Sequence, residues 1–244
     1  MYGDLDRPPL RADSLAHALA PDGWRLEVLP EATSTNAVVA ERARAGEAAG
    51  LCVVAEEQTA GRGRLDRTWQ SPPRAGLTFS VLLRPVTDQL GWVPLLGGLA
   101  VVRAVREQTG VDAVLKWPND VLVGDRKLAG LLAEAVSGAV VLGVGLNVTT
   151  HADELPHALA TSIAIEGGRT TDRETLLKAV LRGLTLTEAD RSAYRAACST
   201  LGRQVEVHLP WLSVVQGLAE DVDEQGRLVV DGTPYSAGDV VHLR

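Results

Sequence analysis

Residues 113 to 148 contain consecutive strand-like runs joined by very short connections, and this pattern restricts the fold more than any other. The runs cover 113–123, 127–136 and 139–148, and only Gly124-Asp125-Arg126 and Ser137-Gly138 separate them. Such connections suit antiparallel hairpins, because a parallel pair needs a crossover of about a dozen residues or more. The sequence therefore predicts an antiparallel meander here rather than a parallel βαβ series.

Helices and further strands are predicted elsewhere along the chain. Apolar runs predict strands at 24–29, 51–55 and 77–83. Helical spacing predicts helices at 14–19, 37–45, 92–109 and 172–186, with Ser14 and Asp172 as N-caps. After Cys198, glycine-punctuated runs at 201–209, 214–221, 228–230 and 240–243 favour a small closed or nearly closed β module. The chain is therefore predicted to be an α+β protein with domains at 1–196 and 197–244.

Composition argues against several broad classes of protein. The 244 residues are 45% hydrophobic, which supplies a core and argues against disorder. The net charge is −7, from 24 Lys plus Arg against 31 Asp plus Glu, whereas dedicated nucleic-acid-binding proteins usually have a basic balance. No apolar run approaches the roughly 18–20 residues that span a bilayer, and the N-terminus lacks a signal-peptide pattern. Cys52 and Cys198 form no CxxC motif, so we expect a cytoplasmic protein.

Residues 58–69 form a basic, glycine-rich segment in this acidic chain. The segment contains Gly61, Arg62, Gly63, Arg64, Asp66 and Arg67. Glycines allow sharp bends and close approach of backbone N–H groups to a ligand, and guanidinium groups bind phosphate or carboxylate through paired hydrogen bonds. We interpret the segment as a loop that binds a small anion, with phosphate favoured. A solvated turn or an RNA-contacting Arg-Gly segment would explain the same residues.

Three further segments carry polar or small residues where a ligand could bind. Ser34, Thr35 and Asn36 stand at a predicted helix start, where they bind a polar head group or serve as an ordinary N-cap. Gly143 and Gly145 lie in an apolar strand and leave room beside it for a flat chemical group. The remaining candidates are Asn147, which offers a hydrogen-bonding end, Gly130, which indicates a close approach, and Lys127, which is predicted to lie beside Asn119 and Asp120. A sheet core or edge would explain the glycines and Lys127 equally well, and Lys116 and Trp117 could be structural.

Together these segments resemble the biotin protein ligase family, both in their residues and in their order along the chain. The matching residues are Ser34-Thr35-Asn36, Gln58, Gly61-Arg62-Gly63-Arg64, Arg67-Thr68-Trp69, Lys116-Trp117-Pro118-Asn119-Asp120, Lys127-Leu128-Ala129-Gly130 and Gly145-Leu146-Asn147. The resemblance covers about residues 24–244. It implies a mixed, largely antiparallel sheet flanked by helices, followed by a small SH3-like β-barrel.

The resemblance also implies an enzyme that makes biotinyl-5′-adenylate from biotin and Mg-ATP and transfers biotin to a lysine of a biotin carboxyl carrier domain. It implies catalytic roles for Lys127, Arg62 and Arg64, with Lys116, Asn119 and Asp120 as supporting residues. Binding of biotin or the adenylate is implied for Ser34, Thr35, Asn36, Gln58, Gly61, Arg62, Gly63, Arg64, Arg67, Trp69, Lys127, Gly130, Gly145 and Asn147. ATP and Mg²⁺ enter as a substrate complex, and no metal ligand is assigned.

The sequence departs from the family pattern at two places. Asp66 stands where the family usually has Gly, and 149–158 has no aromatic residue, so no adenine-stacking partner is named. About 23 residues precede Trp24, too few for a winged helix-turn-helix, so we expect a monofunctional ligase that binds neither DNA nor membrane. We expect a monomer or weak homodimer. The alternatives are a lipoate or octanoate ligase and, more distantly, a non-catalytic RNA-binding protein.

Overall fold

The computed structural model describes residues 7–65, 67–84, 90–209 and 213–243, and a seven-stranded sheet is its largest element. The first nine strands of the chain are Arg25–Leu29 (β1), Leu51–Ala55 (β2), Gln58–Arg62 (β3), Thr68–Ser71 (β4), Gly76–Leu83 (β5), Ala113–Lys116 (β6), Asp120–Val123 (β7), Arg126–Val136 (β8) and Ala139–Asn147 (β9). The sheet has the order β1-β2-β5-β9-β8-β7-β6. Only β1 and β2 pair in parallel there, and the other neighbours are antiparallel. The predicted meander and the largely antiparallel mixed sheet are confirmed.

One predicted strand is two strands in the structure. The run 113–123 was expected to be continuous, but it divides into β6 and β7 around a turn that contains Trp117 and Pro118. Proline has a fixed φ and no N–H group to donate to a strand ladder, so the apolar run cannot continue through it. The turn brings Lys116 and Asp120 opposite each other across the hairpin.

The helices are Ala12–Leu19 (α1), Thr35–Arg44 (α2), Trp92–Thr109 (α3), Arg173–Gly183 (α4) and Glu188–Ala197 (α5). The prediction for α3 is confirmed at both ends, and Gly110 closes it with φ of +76°. Asp172 caps α4 by accepting a hydrogen bond from the Glu174 backbone, as predicted. The predicted Ser14 cap is wrong, because α1 begins at Ala12. The N-cap residue is Arg11, whose backbone N–H donates to Glu174.

Helix α5 was not predicted, although its sequence carries a start signal. Thr187 caps the helix and accepts a hydrogen bond from the Asp190 backbone at 3.2 Å. The Asp190 carboxylate in turn accepts from the Thr187 hydroxyl at 2.6 Å. A Thr followed three residues later by an acidic residue resembles a capping box, and the charged composition of the helix hid this signal.

The helices cover both faces of the large sheet. Strand β2 is buried along its whole length, and its alternate residues enter two separate clusters, Cys52 and Val54 in one, Leu51 and Val53 in the other. Helix α2 packs on the second cluster, and α3 packs on the first. A Cβ atom at Gly97 of α3 would lie 2.7 Å from a Leu142 methyl group, so this glycine lets the helix approach the sheet closely. The predicted arrangement of a sheet flanked by helices is therefore confirmed.

A second, five-stranded antiparallel sheet follows at the C-terminal side. Its strands are Gln204–His208 (β10), Val214–Val222 (β11), Leu228–Val230 (β12), Thr233–Tyr235 (β13) and Asp239–His242 (β14), in the order β13-β12-β11-β10-β14. Buried indoles tie it to the rest of the chain, because Trp117 Nε1 donates to the Gly226 carbonyl and Trp92 Nε1 donates to the Asp223 carbonyl, each at 3.1 Å. The short strand β13 was not predicted, since Pro234 in its centre disfavours a strand assignment.

No helix among residues 7–65, 67–84, 90–209 and 213–243 is long and apolar enough to cross a membrane.

A buried ion pair fastens the N-terminal segment to the sheet. Arg173 donates to Glu56 Oε2 at 2.6 Å and to the Pro8 carbonyl at 2.6 Å, while Glu56 Oε1 accepts from the Leu10 backbone at 2.6 Å. The side chains of Arg173 and Glu56 are only 5% and 11% exposed. Removal of one partner would leave the other charge buried without compensation.

We expect Glu56→Ala to lower the free energy of unfolding by about 3–5 kcal/mol, because Arg173 would lose its carboxylate partner in the interior. Urea denaturation followed by circular dichroism measures this change. The matched control is Asp112→Ala, which removes an ion pair with Arg106 at the surface and should cost less than about 1 kcal/mol. Equal losses in the two variants would contradict the assignment.

Candidate active site

A cavity of about 750 Å³ lies between the β3–β4 hairpin, strands β7 to β9, and β14. All the predicted site and supporting residues except Gly61 line it, namely Ser34, Thr35, Asn36, Gln58, Arg62, Gly63, Arg64, Arg67, Trp69, Lys116, Asn119, Asp120, Lys127, Gly130, Gly145 and Asn147. Gly61 instead packs inside the hairpin, where a Cβ atom would lie 2.4 Å from the Trp69 carbonyl oxygen. The structure therefore brings segments that are far apart in sequence into one place.

One end of the cavity is a buried polar wall at the start of α2. Ser34, Thr35 and Asn36 are each no more than 5% exposed. The Ser34 side chain makes no capping hydrogen bond, and Gln58 Oε1 instead accepts from the Thr35 backbone N–H at 2.8 Å and from its hydroxyl at 3.1 Å. Ser80 donates to Asn36 Oδ1 at 2.6 Å. These bonds fix the polar groups of the wall before any ligand arrives.

Two glycines of β9 make this wall sterically possible. A Cβ atom at Gly143 would lie 2.0 Å from Asn36 Oδ1, and one at Gly145 would lie 2.3 Å from Trp69 Cε2. These glycines were expected to leave room for a flat group. At Gly145 that group is the indole of Trp69, a residue of the protein itself. Side chains at both positions would displace Asn36 and Trp69 from the sheet.

The basic segment 58–69 was expected to be a loop throughout, but most of it forms two strands, and among its described residues only 63–65 and 67 lie outside them. Strands β3 and β4 pair in antiparallel fashion, with Gly61 opposite Trp69 and Arg62 opposite Thr68, and an irregularity between Gln58 and Gly61. The alternation of small and charged residues hid the strands, because they lack the apolar face that marks a half-buried strand. Asp66 lies outside the described residues.

Each arginine of the hairpin contacts an oxygen acceptor at the cavity. Arg62 lies 3.4 Å from Glu134, and Arg67 forms an ion pair with Asp239 of β14. Arg64 donates to Asn119 Oδ1 at 3.0 Å and to the Gly238 carbonyl at 3.4 Å. Burial lowers the pKa of the Arg64 guanidinium, and Asp239 and Asp120 oppose this effect. The cavity thus holds a partly desolvated cation beside two more exposed ones.

Lys127 lines the cavity next to an acidic neighbour. Its Nζ is 2.7 Å from Asp120 Oδ1, as expected from the predicted hairpin. Lys116 faces the same carboxylate from β6. Burial lowers the pKa of Lys116, Asp120 raises it, and the charge of Lys127 adds to the lowering. Two ammonium groups therefore share one carboxylate, which favours binding of a further anion.

The segment after β9 forms the far wall of the cavity. Asn147 Nδ2 donates to the Thr161 carbonyl at 2.9 Å. The backbone N–H of Lys127 donates to the Leu159 carbonyl at 2.7 Å, and Thr161 N–H donates to the Lys127 carbonyl at 2.8 Å. Pro156, His157, Leu159 and Ala160 line the cavity here. Among the described residues, no group of three or more His, Cys, Asp or Glu side chains is placed to hold a metal ion.

Comparison with known proteins assigns the family. Residues 28–150 match the Biotin/lipoate A/B protein ligase family, and residues 200–243 match the Biotin protein ligase C terminal domain. The chain belongs to the biotin/lipoate A/B protein ligase family. The resemblance to biotin protein ligases that the motifs indicated is confirmed.

Relatives in this ligase family match along most of the chain. A biotin–[acetyl-CoA-carboxylase] ligase of Mycobacterium tuberculosis is 43% identical, over 99% of this chain and 98% of its own length. A structure of the biotin protein ligase from Aquifex aeolicus with biotin and ATP is similar with a TM-score of 0.77 and 29% identity, covering 90% of this chain and 98% of that one. The Leishmania major enzyme with biotinyl-5-AMP is similar with a TM-score of 0.62 and 27% identity, covering 90% and 98%.

Some residues that line the ligase cavity or contact its lining residues were missed from the sequence. Glu134 accepts from Asn36 Nδ2 at 2.6 Å and pairs with Arg62, yet it sits in an ordinary alternating strand. Asp239 meets Arg67 across a sequence separation of 172 residues. Ser80, which donates a hydrogen bond to Asn36, lies in an apolar run whose sequence indicates a buried strand and nothing more. Their roles depend on tertiary contacts that no local signal marks.

We expect Gly145→Ala to detach the hairpin of this ligase from the sheet, because the added methyl group would overlap the Trp69 ring. Trypsin should then cleave within residues 62–67 at least about fivefold faster than in the parent, since local opening would cost less free energy. Mass spectrometry of timed digests measures the rate. The control Gly183→Ala adds a methyl group with no neighbour nearer than 4.0 Å and should leave cleavage unchanged. Equal protection of the hairpin in the Gly145 variant would refute the steric argument.

Proposed function

We propose that this protein is a biotin protein ligase. In the first step, a biotin carboxylate oxygen attacks the α-phosphorus of ATP and pyrophosphate leaves. In the second step, a lysine amine of a biotin carboxyl carrier domain attacks the acyl carbon of biotinyl-5′-adenylate, AMP leaves and the amine loses a proton. The observation that carries this proposal is the cavity itself, which joins a buried neutral polar wall to a cluster of cations in a member of this ligase family.

The polar wall suits the head group of biotin. Its ring urea is uncharged and presents both donors and acceptors, and the wall offers the hydroxyl and amide groups of Ser34, Thr35, Asn36 and Gln58. The groups of Thr35, Asn36 and Gln58 are already held by hydrogen bonds within the protein, so little ordering of them is required on binding. Trp69, supported by Gly145, supplies an apolar surface for the less polar part of the molecule.

The cations suit the reacting groups. A carboxylate and a polyphosphate repel each other, so their approach requires positive charge that is in place beforehand. Arg62, Arg64 and Lys127 supply it from two sides, the hairpin and strand β8. Positioning and charge stabilisation then carry the reaction, with no covalent enzyme intermediate. Mg²⁺ enters on ATP, held largely by phosphates and water, and it would neutralise part of the phosphate charge.

The adenosine part occupies the remaining end of the cavity. Once biotin is assigned to the α2 end and the phosphates to the cations, the space beside Asn147, His157, Leu159 and Ala160 is left for it. This wall presents apolar side chains and backbone groups. The hairpin lies over the junction of the two ligands, where it would keep water from the reactive anhydride.

Other properties are part of the same proposal. The two domains divide near residue 196, and the second is an SH3-like barrel, which the five-stranded antiparallel order of β10 to β14 supports. The protein acts in the cytoplasm as a monomer or weak homodimer. It binds no DNA, which the net charge of −7 supports.

We expect Lys127→Ala to slow adenylate formation at least about a hundredfold, because a charge that stabilises the transition state would be lost. Biotin-dependent exchange of labelled pyrophosphate into ATP measures this step. The matched control is Lys178→Ala, which removes a lysine from α4 outside the cavity and should leave exchange unchanged. A folded Lys127 variant with normal exchange would show that the lysine is misassigned.

The choice of acid tests the proposed substrate directly. We expect exchange with biotin but not with lipoate or octanoate, and ATP-dependent transfer of biotin to a purified carrier domain. Exchange with lipoate alone would favour a lipoate or octanoate ligase of the same family. No exchange with any acid, together with salt-sensitive binding of RNA, would favour the non-catalytic alternative.

A further inference from the structure

The first described residue of the chain reaches the far wall of the cavity. Arg7 donates from both terminal nitrogens to the Glu154 carboxylate, at 2.9 Å and 2.5 Å, and it also donates to the Thr149 carbonyl at 2.9 Å. The side chains of Arg7 and Glu154 are 8% and 18% exposed. The hydrogen bond from Arg7 holds the pKa of Glu154 below its usual value, against the effect of burial. A bidentate and largely buried pair of this kind has a defined geometry, unlike most surface ion pairs.

Glu154 also makes a hydrogen bond within the segment 149–160, to which Arg7 binds. Its carboxylate also accepts from the His151 backbone N–H at 2.9 Å, which closes a turn of four residues. The start of the segment is fixed as well, because the Thr149 backbone N–H donates to the Ala75 carbonyl at 2.8 Å. Arg7 therefore joins the beginning of the segment to its middle.

The same segment ends against Lys127. Its residues at 156, 157, 159 and 160 line the cavity. Backbone hydrogen bonds of 2.7 Å and 2.8 Å then join Leu159 and Thr161 to the two sides of the Lys127 backbone. One continuous stretch of chain therefore connects the residues that Arg7 binds with the proposed adenosine wall and with Lys127.

We propose that Arg7 is a positioning residue for the nucleotide, acting through Glu154 on the wall formed by residues 149–160. The inference rests on the proposed function, because it takes this wall to be the one that contacts adenosine. Biotin lies at the opposite end, against α2, so the effect of Arg7 falls on ATP and not on biotin.

The remaining anchors of the N-terminal segment separate this role from a general structural one. Pro8 and Arg11 bind Arg173 and Glu174 of α4, and Leu10 binds Glu56, the residue after β2. None of these partners belongs to residues 149–160. Loss of the Arg7 side chain thus leaves the segment attached. Arg11 is the control for the loss of a bidentate arginine pair, since it binds Glu174 at 3.0 Å and 2.7 Å, although its side chain is 73% exposed.

The test compares Arg7→Met, Glu154→Gln and Arg11→Met in steady-state pyrophosphate release with a purified carrier domain present as the biotin acceptor, and with ATP and biotin varied separately. We expect Arg7→Met and Glu154→Gln to raise KM for ATP about tenfold and to change KM for biotin less than about twofold, because a displaced wall misplaces only the nucleotide. Arg11→Met should match the parent for both substrates. The exchanged pair Arg7→Glu with Glu154→Arg should recover part of the loss.

Chymotrypsin provides a readout that needs no activity. Leu159 is 63% exposed, and cleavage after it should be at least about fivefold faster in Arg7→Met than in Arg11→Met, because the segment opens more often. The positioning role is overturned if cleavage and KM for ATP are unchanged in Arg7→Met, or if both KM values rise together in both arginine variants. A parent protein that shows no exchange with biotin refutes the proposed function instead, and the cleavage comparison still decides whether Arg7 holds the wall.

Discussion

The candidate active site depends on the absence of side chains at Gly143 and Gly145 in strand β9. Because no Cβ atom stands there, Asn36 from α2 and Trp69 from the hairpin lie directly against the sheet. Asn36 then orders its neighbours through Ser80 and Glu134, and Trp69 holds the hairpin over the cavity. Two positions of minimal volume in the centre of the sheet thus determine where a helix terminus and a basic hairpin meet.

Charge is arranged around this frame so that each cation of the hairpin has an acceptor near it. Glu134, Asn119 and Asp239 come from three different strands or turns and contact Arg62, Arg64 and Arg67. The acceptors keep the guanidinium groups oriented, and in the proposed reaction a phosphate would compete with these acceptors for the guanidinium groups. The second sheet takes part in this arrangement through β14, and the indoles of Trp92 and Trp117 hold that sheet at the connection between β11 and β12.

Elements with a strong local pattern were predictable from the sequence. Helix α3 carries a long apolar face and a terminal glycine, and the short turns of the meander left one plausible pairing. The β3–β4 hairpin was not predictable, because its strands lack an apolar face and are stabilised by Trp69 and by distant acceptors. The motif residues around the cavity were found because they resemble a family, whereas Glu134, Asp239 and the wall at 149–160 lie in segments of ordinary composition.

The placement of the indoles has an optical consequence. Trp92 is almost completely buried and does not line the cavity, so its emission should respond little to events there, whereas Trp117 is equally buried but lines the cavity. Trp69 borders the cavity and is only partly buried. A ligand that covers the Trp69 ring changes the polarity around this partly exposed chromophore, against the emission of the other four tryptophans of the chain. The protein therefore carries an intrinsic fluorescent reporter at the junction of its two proposed substrates.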